Sequence, residues 1–171
     1  RKLLIFSRQT APRMTRVNLN QLVEDGLYLL ESRCAKSRIE VVRSLEEDLP
    51  DVVADASQLQ QVLVNLVVNA IQAMPEGGRL TISTHHRESV AVLRIADTGL
   101  GMSSEVRKRV FLPFFTTKDV DKGTGLGLAV VHGSVTAHGG TIGVESELGV
   151  GPQFAVRLPF AGPEDDGGGG G

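Results

Sequence analysis

The sequence is poor in several residue types, and each shortage excludes a class of protein. Its 171 residues include no tryptophan, one tyrosine and a single cysteine, Cys34. One cysteine excludes an internal disulfide and a zinc site built from several thiolates. The 18 basic and 20 acidic side chains give a net charge of −2. This balance lacks the basic excess typical of nucleic-acid-binding proteins, so we expect no nucleic acid partner.

Uninterrupted apolar runs and an export signal are lacking as well. The chain opens with Arg1-Lys2 and soon reaches Arg8, which is not typical of a signal peptide. The longest uncharged stretch, residues 56–75, has about the length of a membrane span. It carries six amide side chains, namely Gln58, Gln60, Gln61, Asn65, Asn69 and Gln72. Because polar side chains are costly in lipid, we expect no membrane contact by this domain.

Composition predicts one folded domain between two terminal segments. Hydrophobic residues at 41% and charged residues at 22% are typical of a globular protein. Residues 13–162 form the predicted domain, and residues 1–12 are predicted to be the end of a helix with its linker. The acidic, glycine-rich residues 163–171 are predicted to be a disordered tail.

Hydrophobic periodicity predicts an α/β fold. Asn20 and Asp55 are the expected caps of two helices, ending at about Lys36 and Met74. Further helices are predicted over 103–110 and 127–138, strands over 39–45, 79–84, 89–97, 141–146 and 153–159, a turn at 85–88 and a long loop over 111–125. The sum is a two-layer sandwich, in which about three helices cover one face of a mixed or antiparallel sheet.

The helix predicted over 56–74 has no charged residue. At 100° per residue, five of its amides fall within a stripe about 80° wide: Gln58, Gln61, Asn65, Asn69 and Gln72. A solvated helix face normally carries lysine and glutamate instead. Two interpretations have equal support from the helix alone. The amides line a pocket in which Asn69 offers its oxygen to Mg²⁺, or they form a ladder satisfied by neighbouring loops.

A second motif, Asp97-Thr98-Gly99-Leu100-Gly101-Met102, directly follows a predicted strand. The Asp97 carboxylate can accept a hydrogen bond from an exocyclic amine such as that of adenine. The two glycines let a flat ligand approach the backbone. An ordinary Asp-x-Gly turn is the alternative, and taken alone the motif favours the turn.

A third motif, Gly123-Thr124-Gly125-Leu126-Gly127-Leu128, opens the last predicted helix. Free amides at a helix N-terminus can bind phosphate. A long loop precedes the motif, so it is not a Rossmann fingerprint, and the chain has no GxxxxGK[ST] sequence. The preceding segment, Phe111-Leu112-Pro113-Phe114-Phe115-Thr116-Thr117-Lys118, holds three of the six phenylalanines. Lys118 can neutralise phosphate charge, although a solvated lysine is the commoner outcome.

In order, the motifs NxxxNA, DTGLGM, FLPFFTTK, GTGLGL and a terminal HGG strand pair resemble the catalytic, ATP-binding domain of sensor histidine kinases, within the GHKL superfamily. The first four correspond to that family's N, G1, F and G2 boxes, and the resemblance covers residues 17–160. It implies a Bergerat-type fold and makes residues 1–12 the end of the dimerisation helix. The FFTTK form of the third box is similar to that of nitrogen-regulatory kinases.

The resemblance implies ATP and Mg²⁺ as cofactors. Asn69 matches the Mg²⁺-binding asparagine, Asn65 its companion one turn earlier, and Asp97 the aspartate that recognises adenine. With Asn65 and Asn69, Lys118 belongs to the implied catalytic set. The other positions matched to the nucleotide site are Gly99, Gly101, Met102, Gly123, Thr124, Gly125, Leu126, Gly127 and Leu128. Residues 111–125 match the mobile ATP lid.

The chain departs from the family pattern at two positions in or near this site. Many members have a basic residue where this chain has Gln72, which is still expected to contact nucleotide. Lys118 or Lys122 is then expected to supply the missing positive charge. Pro152 replaces a residue with a hydroxyl group that makes a water-mediated adenine contact in the superfamily, which puts that contact in doubt.

The implied reaction transfers the γ-phosphoryl of ATP to a histidine imidazole. None of His85, His86, His132 and His138 fits an acceptor motif, so the chain is the catalytic half of a kinase. The implied partners are the dimerisation and phosphotransfer domain of the same kinase and a response regulator. The isolated domain is expected to be monomeric and cytoplasmic, and the parent homodimeric.

Three alternatives stay open. One is a GHKL ATPase, but those enzymes have a glutamate where this chain has Asn65, and an amide cannot activate water. Another is a serine kinase of the anti-sigma type. The third, from a different functional class, is a nucleotide sensor that does not catalyse a reaction.

Overall fold

The computed structural model describes residues 13–98, 125–147 and 150–163. The elements in these ranges are, in chain order, β1 (Thr15–Val17), α1 (Leu19–Leu29), α2 (Glu31–Lys36), β2 (Ile39–Leu45), β3 (Val52–Ala54), α3 (Ala56–Ala73), β4 (Gly78–Arg87), β5 (Val90–Asp97), α4 (Gly125–Ala137), β6 (Thr141–Glu147) and β7 (Val150–Pro159). No described helix is both long enough and apolar enough to cross a membrane.

The main sheet has five strands in the order β2-β4-β5-β7-β6. Strand β2 pairs parallel with β4, and the other neighbours are antiparallel. Strands β1 and β3 form a separate two-stranded antiparallel sheet. The α/β fold with a mixed sheet and a helical layer is confirmed.

The hydrophobic core lies between the helices and one face of the main sheet. Helix α3 packs against α1, α4 and β5. Its buried face consists of Leu59, Val62, Leu63, Leu66, Val67, Ala70 and Ile71. The sheet contributes alternate residues, such as Ile82, Ile95 and Phe154, which lie opposite one another on neighbouring strands. Each inward-facing row follows the two-residue period of a strand that is buried on one side.

The single helix predicted over 20–36 is wrong in two respects. The cap is Asn18, whose side chain accepts the Gln21 N–H at 3.0 Å. The helix breaks at Leu30 (φ −103°, ψ 6°), and α2 follows as a separate element. The break contains neither proline nor glycine, whereas Leu30 and Cys34 are both buried. Packing therefore overrides the continuous helical pattern of the sequence.

Asn20, predicted as a cap, has a different role. Its Nδ2 donates to Glu46 O at 2.7 Å, and its Oδ1 accepts from the Thr84 hydroxyl at 2.7 Å. The two bonds attach the first turn of α1 to β4 and to the residue after β2. Asn20 is thus a link between helix and sheet rather than a cap.

The predicted turn at 85–88 is also wrong, because β4 continues to Arg87 and pairs there with Val90. The turn is formed by Glu88 and Ser89, and Glu88 has a positive φ of 54°. Glu46 stabilises the extension, since its carboxylate accepts from the His86 N–H at 3.0 Å and lies 2.6 Å from His86 Nδ1. A contact between residues 40 positions apart in the chain thus extends the strand where the local sequence predicted a turn.

The remaining boundaries lie close to their predictions. Helix α4 begins at Gly125 rather than 127, and the last hairpin is connected more tightly than predicted, with Glu147 opposite Val150. The predicted helix 103–110 and most of the loop 111–125 lie outside the described residues. Residues 1–12 and 164–171 lie outside them too, so the division into one domain and two terminal segments stays a prediction.

Candidate nucleotide site

The amide stripe lies on α3, which begins behind Asp55. The Asp55 carboxylate accepts from the Gln58 N–H at 3.1 Å and thereby caps the helix. Within the stripe, Gln61 is exposed and donates to Asn65 Oδ1 at 3.3 Å. Asn69 and Gln72 are half-buried. Within the described ranges, neither of their side chains has a hydrogen-bond partner. The one side-chain bond of the stripe among the described residues lies within the helix and not to a neighbouring loop, and the contact of Asn69 and Gln72 with a ligand stays a prediction.

Asp97 lies at the end of β5, where it faces Leu80 of β4 and is 9% exposed. The next residue, Thr98, accepts the Arg79 N–H at 3.1 Å and donates to Met74 Sδ at 3.5 Å. Met74 is the C-cap of α3. The end of β5 is therefore held against the end of α3 that carries Asn69 and Gln72.

Two glycines allow this close approach between strand and helix. Gly77 has φ +92°, which a residue with a side chain rarely adopts. A Cβ on Gly78 would lie 2.7 Å from Met74 Sδ and would collide with Thr98 Oγ1. A side chain at Gly78 would therefore push the end of β5 away from α3, whereas one at Gly77 would press on the backbone of Arg38.

Helix α4 runs antiparallel to α3. His138, just after α4, binds Asp55, just before α3, and the two helices pack along each other. At 1.5 Å per residue, both the 13 residues of α4 and the segment from Asp55 to Asn69 span about 20 Å. From these lengths we expect the first turn of α4 to lie beside the half of α3 that carries the asparagines. That turn contains four predicted site residues: Gly125, Leu126, Gly127 and Leu128.

The structure thus brings together two of the four predicted segments. The end of β5 with Asp97 and the end of α3 with Asn69 and Gln72 are held together through Thr98 and Met74, and the place of the first turn of α4 beside them stays a prediction. Six predicted contacts lie outside the described residues: Gly99, Gly101, Met102, Lys118, Gly123 and Thr124. Lys122, the other expected source of positive charge, lies outside them too. For these residues the assignments remain predictions.

The link through His138 was missed by the sequence analysis. His138 Nε2 accepts the Asp55 N–H at 3.0 Å, and His138 Nδ1 lies 2.7 Å from Ser134 O. The ring is 1% exposed. The sequence offered one signal, a polar residue in line with the apolar positions Leu128, Val131 and Val135 of α4. Its partner is 83 residues away and had no such signal.

The pKa of the Asp55 carboxyl depends on burial and on the N–H groups that surround it. Burial raises the pKa of its carboxyl, but the backbone N–H groups of Arg13, Gln58 and Ser57 together outweigh burial, and the net effect lowers the pKa. The shortest of these bonds, from Arg13, is 2.7 Å. The start of α3 therefore carries a firmly ionised cap at neutral pH.

An open groove of about 560 Å³ lies elsewhere, between α1, α2 and β2. Glu24, Asp25 and Glu31 are among its acidic lining residues, and it contains none of the predicted site residues. Cavity size is thus a poor guide to the chemistry in this chain. The described residues also contain no cluster of three or more histidine, cysteine or acidic side chains suited to a metal.

Comparison with known proteins gives a consistent result. The profile of the histidine kinase-, DNA gyrase B- and HSP90-like ATPases matches residues 54–162. The sensor kinase CckA of Brucella abortus is 41% identical over 174 residues, which cover 93% of this chain and 18% of that protein. The chain therefore spans less than a fifth of the length of this curated relative.

Solved structures support the same relationship. The catalytic domain of histidine kinase ThkA is similar with a TM-score of 0.80 and 32% identity, covering 87% of this chain and 97% of that one. The structure of ThkA in complex with response regulator TrrA is similar with a TM-score of 0.77 and 27% identity, and the match covers 94% of this chain and 46% of that one. Full-length ShkA in complex with AMPPNP is similar with a TM-score of 0.81 and 31% identity, and the match covers 91% of this chain and 34% of that one.

Proposed function

Because the chain belongs to the histidine kinase-, DNA gyrase B- and HSP90-like ATPase family, as a catalytic domain of the histidine kinase type, we propose that it binds ATP with Mg²⁺. It transfers the γ-phosphoryl group to a histidine on a separate dimerisation domain of its parent protein. The observation that carries this proposal is the end of the amide stripe. Asn69 and Gln72 are half-buried, their side chains have no partner among the described residues, and they lie at the end of α3 that is held against the end of β5.

Each of the three segments has one part in binding. The Asp97 carboxylate accepts a hydrogen bond from the exocyclic amine of adenine. The N–H groups in the first turn of α4 face the phosphates, where the positive end of the helix dipole favours negative charge. Both groups are fixed before the nucleotide arrives, because one ends a buried strand and the other begins a packed helix. Transfer by positioning needs such prior order.

Asn69 is the residue that would hold Mg²⁺. Its amide oxygen is a hard ligand on a half-buried side chain. Mg²⁺ usually keeps several waters and binds phosphate oxygens, so one or two protein ligands are enough. When bound, the ion supplies neutralisation of the phosphate charge.

Asn65 favours transfer over hydrolysis. It lies one turn before Asn69, and its Oδ1 accepts from Gln61. An amide cannot take a proton from water, so this helix offers no general base at that position. The GHKL ATPase alternative therefore has less support than the kinase.

The proposed partners follow from the relatives. ThkA, with which this chain shares its fold, has been solved with a response regulator, and we expect a response regulator to receive the phosphoryl group here too. The acceptor domain belongs to the part of the parent outside this chain. We further propose that the isolated domain is monomeric and cytoplasmic and that the parent is a homodimer.

Nucleotide binding can be tested with Asp97→Asn, which removes the charge but keeps the shape. A hydrogen bond to a charged group contributes about 1.5–3 kcal/mol, so Kd for ATP should rise about 10- to 100-fold. Titration calorimetry with ATP, ADP and GTP measures this, with the exposed Asp51→Asn as the matched control. Unchanged affinity in a folded Asp97→Asn variant would remove Asp97 from the site.

Phosphoryl transfer needs a second experiment. The domain is mixed with a separately produced dimerisation domain of its parent and γ-labelled ATP. We expect acid-labile label on a histidine of the added domain. Label on serine would favour the serine kinase alternative, and ATP binding without any label would favour the nucleotide sensor.

A further inference from the structure

His138 connects the two helices of the nucleotide site at the end remote from the nucleotide. Its Nδ1 donates to Ser134 O at 2.7 Å, one turn earlier in α4. With the proton on Nδ1, its Nε2 is free to accept from the Asp55 N–H, 3.0 Å away. One tautomer of a ring that is 1% exposed therefore satisfies both bonds.

The end of α4 is fixed to this histidine by a tight backbone reversal. Gly139 has φ +76°, and the Gly140 N–H bonds to Val135 O at 3.0 Å, as at a glycine-terminated helix end. A Cβ on Gly140 would collide with the carbonyl oxygen of Arg157 in β7. The ring thus belongs to a rigid corner between α4 and the sheet.

Apart from His138, the side chains of α4 that are buried among the described residues are apolar. Leu128, Val131 and Val135 face the core, and Val131 and Val135 are completely buried. Apolar burial depends on area and has little directional preference. A hydrogen bond, by contrast, weakens steeply when its length or angle changes. The bond from Asp55 to His138 is therefore the directional contact that fixes how far α4 extends along α3.

We propose that His138 is a positioning residue for the phosphate side of the nucleotide site. A helix is stiff along its axis, so an axial shift at His138 moves the first turn of α4, about 20 Å away, by a similar distance. That turn would then move relative to Asn65 and Asn69. The inference rests on the proposed function, since it assumes that this turn faces phosphate.

The inference makes a prediction that a purely structural role would not. Asp97 lies on β5, and the bond between His138 and Asp55 does not involve that strand. Substitution of His138 should therefore leave the affinity for the adenine part of the nucleotide unchanged. Loss of the link should weaken ATP binding about tenfold or more, since misplacement by about 1 Å can cost up to 100-fold. The affinity for adenosine should change less than about twofold, within the 0.4 kcal/mol that such a factor represents.

Four variants of the 171-residue chain test this by calorimetric titration with ATP–Mg²⁺ and with adenosine. His138→Phe removes both bonds. His138→Asn keeps only a donor near Ser134 O, whereas His138→Gln keeps an acceptor near the Asp55 N–H. Val135→Ala loosens the packing of the same helix without touching the link. Thermal unfolding of each variant identifies those that fold.

We expect the ratio of the adenosine Kd to the ATP Kd to fall about tenfold in His138→Phe and His138→Asn. In His138→Gln and in Val135→Ala the ratio should stay at the wild-type value. If His138→Phe does not fold, His138→Asn decides alone. An unchanged ratio in a folded His138→Asn, or an equal fall in Val135→Ala, would overturn the inference. If the wild-type chain binds ATP no more tightly than adenosine, both the inference and the proposed function are refuted.

Discussion

Replacing Gly26 by alanine tests how closely α1 is seated against the helix that carries the two asparagines. An added Cβ would lie 2.9 Å from Gln60 Oε1 and 3.5 Å from Leu63 Cγ, and it would collide with Leu63 Cδ2. Leu63 has no exposed surface, and Gln60 Oε1 is buried without a partner among the described residues. The Leu63 side chain therefore has no open solvent into which it can move.

Two effects of opposite sign decide the magnitude. Overpacking a well-packed core costs about 1–3 kcal/mol. Replacing glycine by alanine inside a helix contributes about 1 kcal/mol in the other direction. Because the collision involves a fully buried leucine, we expect the upper part of the overpacking range and a net loss of about 1 kcal/mol or more.

The chain offers a matched control at Gly133, which lies inside α4 and is exposed. A Cβ there would meet no atom within 4 Å. Gly133→Ala should therefore show the propensity gain alone, about 0.5–1 kcal/mol of added stability. Urea unfolding followed by far-ultraviolet circular dichroism measures both variants, with an unchanged m value as the check on two-state behaviour. If Gly26→Ala stabilises the protein as much as Gly133→Ala does, the described packing of α1 on α3 is wrong.

Two further predictions concern α3. Asn69→Ala should abolish the dependence of ATP affinity on Mg²⁺ in titrations with and without the ion, and retained dependence would put the metal elsewhere. Asp55→Ala should cost about 1 kcal/mol of unfolding free energy by loss of the cap, with the exposed Asp51→Ala as control. Because the folded-state pKa of Asp55 is lowered, this difference should be constant near neutral pH and shrink as the pH falls below about 4, through the lowered pKa. A difference that grows in acid would contradict the assignment.

Local sequence signals predicted an element correctly where the element is long and its hydrophobic period is clear. Helix α3 was predicted from its cap at Asp55 and its apolar period, and the structure confirms it within one residue. Strands β1 and β3 were missed, since each has three residues and pairs only with the other. So few residues carry no period, and their pairing brings Thr15 opposite Ala54. Pairing at that separation is set by the tertiary fold and not by the local sequence.

The site was predictable in part for the same reason. The pattern of α3 left a pocket and a ladder satisfied by neighbouring loops equally supported, and the one bond of the stripe among the described residues, from Gln61 to Asn65, lies within the helix and does not decide between them. The proximity of Asp97 to α3 depends on Thr98, Met74 and the backbone of Gly77 and Gly78, which no motif describes. The sequence analysis assigned His138 to the last helix. Its bond to Asp55 could not be predicted, because the two residues are 83 positions apart and only the tertiary fold brings them together.

The strand order has a consequence for how this domain can be altered. Strand β7 is inserted between β5 and β6, so Ala96 of the central strand pairs with Gln153 near the end of the chain. Strand β5 is therefore held in the sheet by a strand that follows the predicted lid along the chain. The entropy lost in closing a flexible connection between two fixed elements grows only logarithmically with its length, by about 0.6 kcal/mol for each doubling. We therefore expect that the connection between β5 and α4 can be lengthened or exchanged at little cost in stability, while the order of the strands stays the same.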